Sequence, residues 1–271
     1  MTLNRPPLDP FTERLHRQPP QHGPVMLMYH AVLPTAQRPR WPWAVALGHF
    51  VHQLEFLREQ GYATPTVSEL LADPARYTGR TALITFDDGY VDNLDAASAL
   101  AQRGMRATWY VVSGSIGRAP QWPLDGRPDE RLMDAAELHG LLEAGMEIGS
   151  HSVTHRRLTE LDPESRRLEL VDSKASLEQM LGTEVRSFAY PYGAFSDECA
   201  RDVQRAGYRS ACTTLPGWAL RDRDAYQMRR LTVFNSDSIS TLARKLSLGS
   251  HDVGWGHMAR YAWRSLRTAS A

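Results

Sequence analysis

The sequence predicts a single α/β domain built on a parallel sheet or barrel. Three observations carry this expectation. Short apolar runs alternate with helical patterns along most of the chain, the pattern of βα units. One of them, Val25–Tyr29, is continuously apolar, as in a strand covered on both faces. The length of 271 residues suits one large unit of the α/β barrel class, which spans roughly 200–250 residues.

Residues 1–24 are proline-rich with little periodicity and read as a flexible, extended arm. Val25–Tyr29 is a buried strand with His30 at its end. A long loop then runs to Trp43, and Phe50, Leu54 and Leu57 share one face of a helix over about 47–60. Thr81–Phe86 is a strand that leads directly into Asp87-Asp88-Gly89. A helix over about 92–103 precedes the strand Ala107–Val112. Asp134 and Glu137 form a capping box for a helix that stops at Gly145. Met146–Gly149 is a short strand delivering His151. Asp162-Pro163 starts a long helix ending near Gly182. Phe188–Tyr190 is a strand, Ser196 caps a helix to Gly207, and Tyr208–Thr213 is a strand. Gln227–Val233 is the last strand, followed by a helix over about 237–247. The domain is placed at 25–250, with 251–271 as a polar tail.

Composition narrows the function. Hydrophobic residues make up 42% and charged residues 23%, with 31 basic against 31 acidic side chains. The absence of a basic surplus speaks against nucleic acid as a partner. Cys199 and Cys212 lack metal-ligand spacing and read as small buried residues. No stretch is apolar over the ~18 residues needed to span a bilayer, and the first twenty residues lack a signal-peptide core. The expected location is cytoplasmic.

In parallel α/β folds, sites gather at the carboxyl ends of strands. Four predicted strand ends carry polar residues: His30, Asp87-Asp88, His151 and Tyr192. Adjacent carboxylates after an apolar strand repel one another and lose solvation, which a metal or shared proton relieves. Asp is equally at home as the cap of the following helix, and either reading stands on this pair alone. His151 and His155, four apart, can face one way on a helical turn and bind a divalent metal. They also read as surface histidines. One carboxylate with two histidines makes a facial ligand set with open positions. Trp41, Trp43, Trp122 and Trp218 lie in loop-like stretches, where they either stack on sugar rings or anchor loops to the core.

Thr85–Gly89, His151–His155 and Phe188–Gly193 resemble, in order and spacing, the first three motifs of the polysaccharide deacetylases of carbohydrate esterase family 4, the NodB-homology domain. The resemblance covers about residues 25–235. It implies a distorted (β/α) barrel of about seven strands and one divalent metal, most often zinc, with nickel, cobalt, manganese or iron as alternatives. By analogy, Asp88, His151 and His155 bind the metal and Asp87 is the general base. The Tyr192 backbone N–H stabilises the oxyanion. The implied reaction is attack of metal-bound water on an N-acetyl carbonyl of a carbohydrate substrate. Trp43, Trp218 and Tyr192 are the candidate substrate-binding residues.

Two departures follow. Ala189 stands where the family carries the arginine that orients the base. Arg230 is the candidate replacement, although it reads equally as an ordinary salt bridge. The family's last motif ends a strand in the histidine that protonates the leaving amine. Near the C-terminus only Leu246–His251 approaches it, one place out of register. Met26–His30 fits it at the N-terminus, as in circularly permuted members acting on poly-N-acetylglucosamine, so His30 is the candidate acid. Competing expectations are a deacylase of a small, nucleotide-linked or lipid-linked amino sugar or a secondary-metabolite intermediate, and a non-catalytic carbohydrate-binding relative. A phosphotransfer enzyme fits less well, because Gly89 stands where such sites want a second Asp.

Overall fold

A computed structural model describes residues 8–17, 23–123, 130–254 and 256. In chain order the main elements are α1 (Pro10–His16), β1 (Val25–Tyr29), β2 (Ala31–Leu33), β3 (Ala44–Ala46), α2 (Leu47–Glu59), α3 (Val67–Ala72), β4 (Ala82–Phe86) and α4 (Asn93–Ala101). They continue with β5 (Thr108–Val111), α5 (Ala135–Glu143), β6 (Glu147–Ser150), α6 (Pro163–Leu181), β7 (Ser187–Ala189), α7 (Asp197–Arg205), β8 (Ser210–Cys212), β9 (Leu231–Thr232) and α8 (Ile239–Leu248).

Seven strands form one sheet in the order β8-β7-β6-β5-β4-β1-β9. All its pairs are parallel. The sheet curls into a half-barrel, the predicted distorted barrel. Its two ends meet through the segment leading into β9. Met228 bridges Cys212 at the end of β8, while Leu231 and Thr232 pair with Leu27 and Met28 of β1. The single strand expected over Gln227–Val233 is thus shared between two neighbours.

Both faces of the sheet are covered, which explains the continuous apolar run. Alternate residues face opposite ways. Val25, Leu27, Ile84, Phe86, Trp109 and Phe188 pack outward under the helices. Met26, Leu83, Tyr110, Ala189, Cys212 and Met228 fill the inside of the curl. Phe86 and Trp109 stack at 4.5 Å, nearly coplanar. Both cysteines are buried and unpaired.

Three local differences from expectation have physical causes. Within the stretch read as an arm, residues 10–16 are helical. Asp9 caps Thr12 and Pro10 opens the first turn, and Arg244 and Ser247 of α8 hold the helix through Asp9 and His16. The remainder of that arm (1–7, 18–22) and of the C-terminal tail (255, 257–271) lies outside the described residues. The loop running to Trp43 contains β2 and is followed at once by β3, and these two strands pair only with each other. Helix α3, absent from the periodicity reading, is set by a capping box between Thr66 and Glu69. Among the described residues no helix is long and apolar enough to cross a membrane.

Candidate active site

The exits of β1, β4, β6 and β7 converge on a cleft of about 340 Å³. Its floor holds His30, Asp87, Asp88, His151 and His155, and Tyr192 stands at its wall. The six candidates His30, Asp87, Asp88, His151, His155 and Tyr192 thus meet in one place, and Arg230 reaches it through Asp87.

The carboxylate pair does not cap a helix: α4 starts at Asn93, behind Asp92. Asp88 instead turns the chain at φ 73°, and Gly89 follows at φ 87°. A Cβ on Gly89 would come within 2.9 Å of the Val111 side chain, so only glycine fits there. Ser152 (69°), His155 (62°) and Tyr192 (58°) share this left-handed conformation. Of the five non-glycine residues of positive φ among those described, Asp88, His155 and Tyr192 line this cleft and Ser152 lies in the loop between its two histidines, the kind of concentrated strain that marks functional sites.

His151 and His155 are carried by a loop with two left-handed residues, not by the helical turn expected. Glu169 of α6 braces that loop. Its Oε2 accepts from the N–H groups of Val153 and Thr154, each at 2.9 Å, and its Oε1 accepts from the Thr154 hydroxyl. Ser152 Oγ accepts from the His155 N–H at 3.0 Å.

Asp88 Oδ1 lies 3.6 Å from His151 Nε2 and 3.3 Å from His155 Nε2. The three donor atoms lie within 4.8 Å of one another. Ligands bonded at ~2.1 Å around a tetrahedral ion stand ~3.4 Å apart, so this set fits one divalent cation. His151 Nδ1 is 2.8 Å from the Ala189 carbonyl. That contact fixes the tautomer and leaves Nε2 to bind. Burial, offset only in part by the Asp87 charge, pushes His151 down to about 4, so it is neutral as a ligand must be. Burial raises Asp88, but His155 and the other imidazoles outweigh it and hold the carboxylate well below its ordinary range.

Asp87 is bound differently. Arg230, fully buried, meets it with Nη1 on Oδ1 at 2.6 Å and Nη2 on Oδ2 at 2.8 Å. The guanidinium is itself held by the Thr213 carbonyl at 2.9 Å and lies over the Tyr110 ring. Burial favours the neutral Asp87, yet Arg230 first and His151 second keep it below the usual carboxylate range.

His30 sits across the cleft, its ring edge-on to Trp41 at 5.8 Å. Asn93 donates to its backbone carbonyl at 2.9 Å and to Asp92 at 2.7 Å. Burial lowers the His30 imidazole pKa, against the opposing pull of Asp88 and Asp87. Burial also pushes Asp92 up to about 7.

Aromatic side chains wall the cleft. Trp122 stacks on His155 at 4.5 Å, the Tyr192 ring meets His155 at 4.5 Å, and Trp41 and Trp43 stand by His30. Trp218 is not among the cleft residues: its ring packs on Gly249 at the end of α8, which makes it a loop anchor. His251 accepts from the Thr232 N–H at 2.7 Å and likewise lies outside the cleft. Arg157, Glu169 and Asn93 escaped sequence reading. Arg157 and Asn93 lie within a few residues of the motifs, but nothing local distinguishes Glu169 from other charged residues of a long helix.

The profile of the family described as polysaccharide deacetylase matches residues 75–211. A Bacillus subtilis protein named as a polysaccharide deacetylase, YxkH, is 30% identical over 212 residues, covering 77% of this chain and 70% of the relative. The chain belongs to the polysaccharide deacetylase family. Among solved structures, the Streptococcus pyogenes deacetylase PplD in complex with acetate superposes with a TM-score of 0.71 at 22% identity, over 82% of this chain and 97% of that one. IcaB from Ammonifex degensii gives 0.68 at 25% identity, over 84% and 98%. As a family member, the chain has the deacetylase fold with the donor set and the carboxylate pair in place.

Proposed function

We propose that this deacetylase is metal-dependent and removes the acetyl group from an N-acetylated sugar within an oligo- or polysaccharide. The observation that carries the reading is the division of labour between adjacent carboxylates: Asp88 points to the two imidazoles, and Asp87 to Arg230. A divalent cation held by Asp88, His151 and His155, with zinc the first choice, would polarise a carbonyl and acidify water. Asp87, kept ionised by Arg230, takes the proton from the attacking water. The left-handed turn at Tyr192 offers a backbone N–H to the developing oxyanion. His30, across the cleft, gives the proton of its imidazolium form to the departing amine and then regains one from solvent. The placement of this histidine on the first strand supports kinship with the circularly permuted branch. Trp41, Trp43, Trp122 and Tyr192 give the sugar ring apolar faces to stack on.

The test joins metal analysis to an acetate-release assay on N-acetylated glycans. Purified protein should carry about one divalent ion per chain, and a chelator should stop acetate release until metal is returned. Asp87→Asn should keep the metal and lose acetate release, whereas His151→Ala should lose both. Metal-loaded protein that frees no acyl group from any glycan would sink the proposal.

A further inference from the structure

Beside the cleft lies a second recess of about 410 Å³. It shares Trp122, His155, Arg157 and Tyr192 with the cleft, so a chain leaving the cleft past these residues enters it directly. Its charged lining is unequal. Among the described residues, Arg156 and Arg157 face a single carboxylate, Glu160, with Gln121 as a neutral donor. The chain as a whole balances 31 basic with 31 acidic residues, so this surplus is local rather than a property of the surface at large.

Neither arginine is consumed by structure. Arg157 Nε stands 3.7 Å from Glu160 Oε1, with the Glu160 side chain 71% exposed; that is too long for a hydrogen bond, and such exposed pairs contribute little. The Arg157 guanidinium is instead laid 4.2 Å from the Tyr192 ring centre, which orients its donor edge while leaving it available. Arg156 has no ion pair among the described residues. A planar guanidinium matches a carboxylate with two parallel donors.

Resting on the deacetylase reading above, we propose that this recess binds a carboxylate on the sugar next to the one being deacetylated, so that the substrate is an acidic glycan. Arg157 and Arg156 grip that carboxylate, and Tyr192 serves as the hinge between the two subsites.

The experiment compares oligosaccharides that alternate N-acetylglucosamine with glucuronic acid against the same oligosaccharides after reduction of their carboxyl groups. Acetate release by the metal-loaded protein should favour the acidic form by about tenfold in kcat/KM, chiefly through KM, and the preference should shrink as salt is raised. Arg156→Gln and Arg157→Gln should each cut the preference, while Glu160→Gln should enlarge it. Binding is measured in parallel with the same oligosaccharides stripped of their acetyl groups, which cannot turn over. Tighter binding of the acidic form, weakened in the arginine variants, supports the recess even if no acetate is released, an outcome that would count only against the deacetylase reading. Equal or weaker binding of the acidic form overturns the inference and leaves deacetylation standing.

Discussion

The Arg230 guanidinium and the Asp87 carboxylate form a closed, two-bond fork at 2.6 and 2.8 Å across 143 residues of sequence. The pair is fully buried on the arginine side, so breaking it strands a charge. Arg230→Ala should lower unfolding free energy by roughly 3–5 kcal/mol, read by denaturant unfolding. Arg230→Lys retains the charge but cannot reproduce the fork. It should fold, bind metal within a few-fold of the parent, and release acetate at least about tenfold more slowly. Unchanged turnover in a folded Arg230→Lys protein would show that Asp87 needs no orienting partner.

Glu169 holds the loop between the two imidazoles by three hydrogen bonds. Supporting groups of this kind change metal affinity about 10–100-fold. Glu169→Ala should weaken zinc binding by that factor in a chelator competition, and Glu169→Gln, which keeps one acceptor oxygen, should weaken it less. If affinity is unchanged while melting temperature falls, the residue supports the fold but not the ligands.

Asn235 fastens the tryptophan loop. Its side-chain amide donates to the carbonyls of Pro39 and Trp41 at 2.6 and 3.0 Å, its backbone N–H donates to Pro42 at 2.9 Å, and its side-chain oxygen accepts from Arg38. Asn235→Ala should free that loop and raise KM for glycans several-fold, with metal affinity unaltered. Intrinsic fluorescence quenching by acrylamide should increase as Trp41 and Trp43 become more accessible.

Acid should destabilise the fold through a buried histidine. His16 is buried against Phe56 and Tyr62, and burial, then the Arg80 charge, pushes it down to about 4. The unfolded chain binds the proton near 6.5 and the folded chain does not. Stability is therefore complete above about pH 6.5 and declines as pH falls toward 4, by roughly 2–3 kcal/mol for this group. Denaturant midpoints at pH 7 and 5 should show the drop, and His16→Gln should remove that part of the slope. Equal pH dependence in the two proteins would assign the loss to other groups.

Much of the arrangement was legible in the residues themselves. The continuous apolar run at Val25–Tyr29 marks a covered strand because burial on both faces leaves no position for a charge. Asp87-Asp88 and the paired histidines stood out because such charges are costly at strand ends without a purpose. Ala189 pointed to a missing arginine, and the structure supplies Arg230 in contact with Asp87. What stayed hidden depends on tertiary geometry. No local signal separates Trp218, which anchors α8, from Trp122, which stacks on His155. Spacing suggested a helical turn for His151 and His155, whereas strained dihedrals and a distant glutamate set their loop. The helix at Pro10–His16 was missed although Asp9-Pro10 repeats the start signal recognised at Asp162-Pro163; proline density around it outweighed that cue.

The segment from Met228 to Thr232 joins β8 to β1 and also carries Arg230. During synthesis every donor of the metal set leaves the ribosome before this segment does. A nascent chain can thus possess its cation-binding groups while its base still lacks an anchor. On the proposed mechanism, hydrolytic competence arrives only when the last strand docks, so closing the sheet and arming the catalyst are one event.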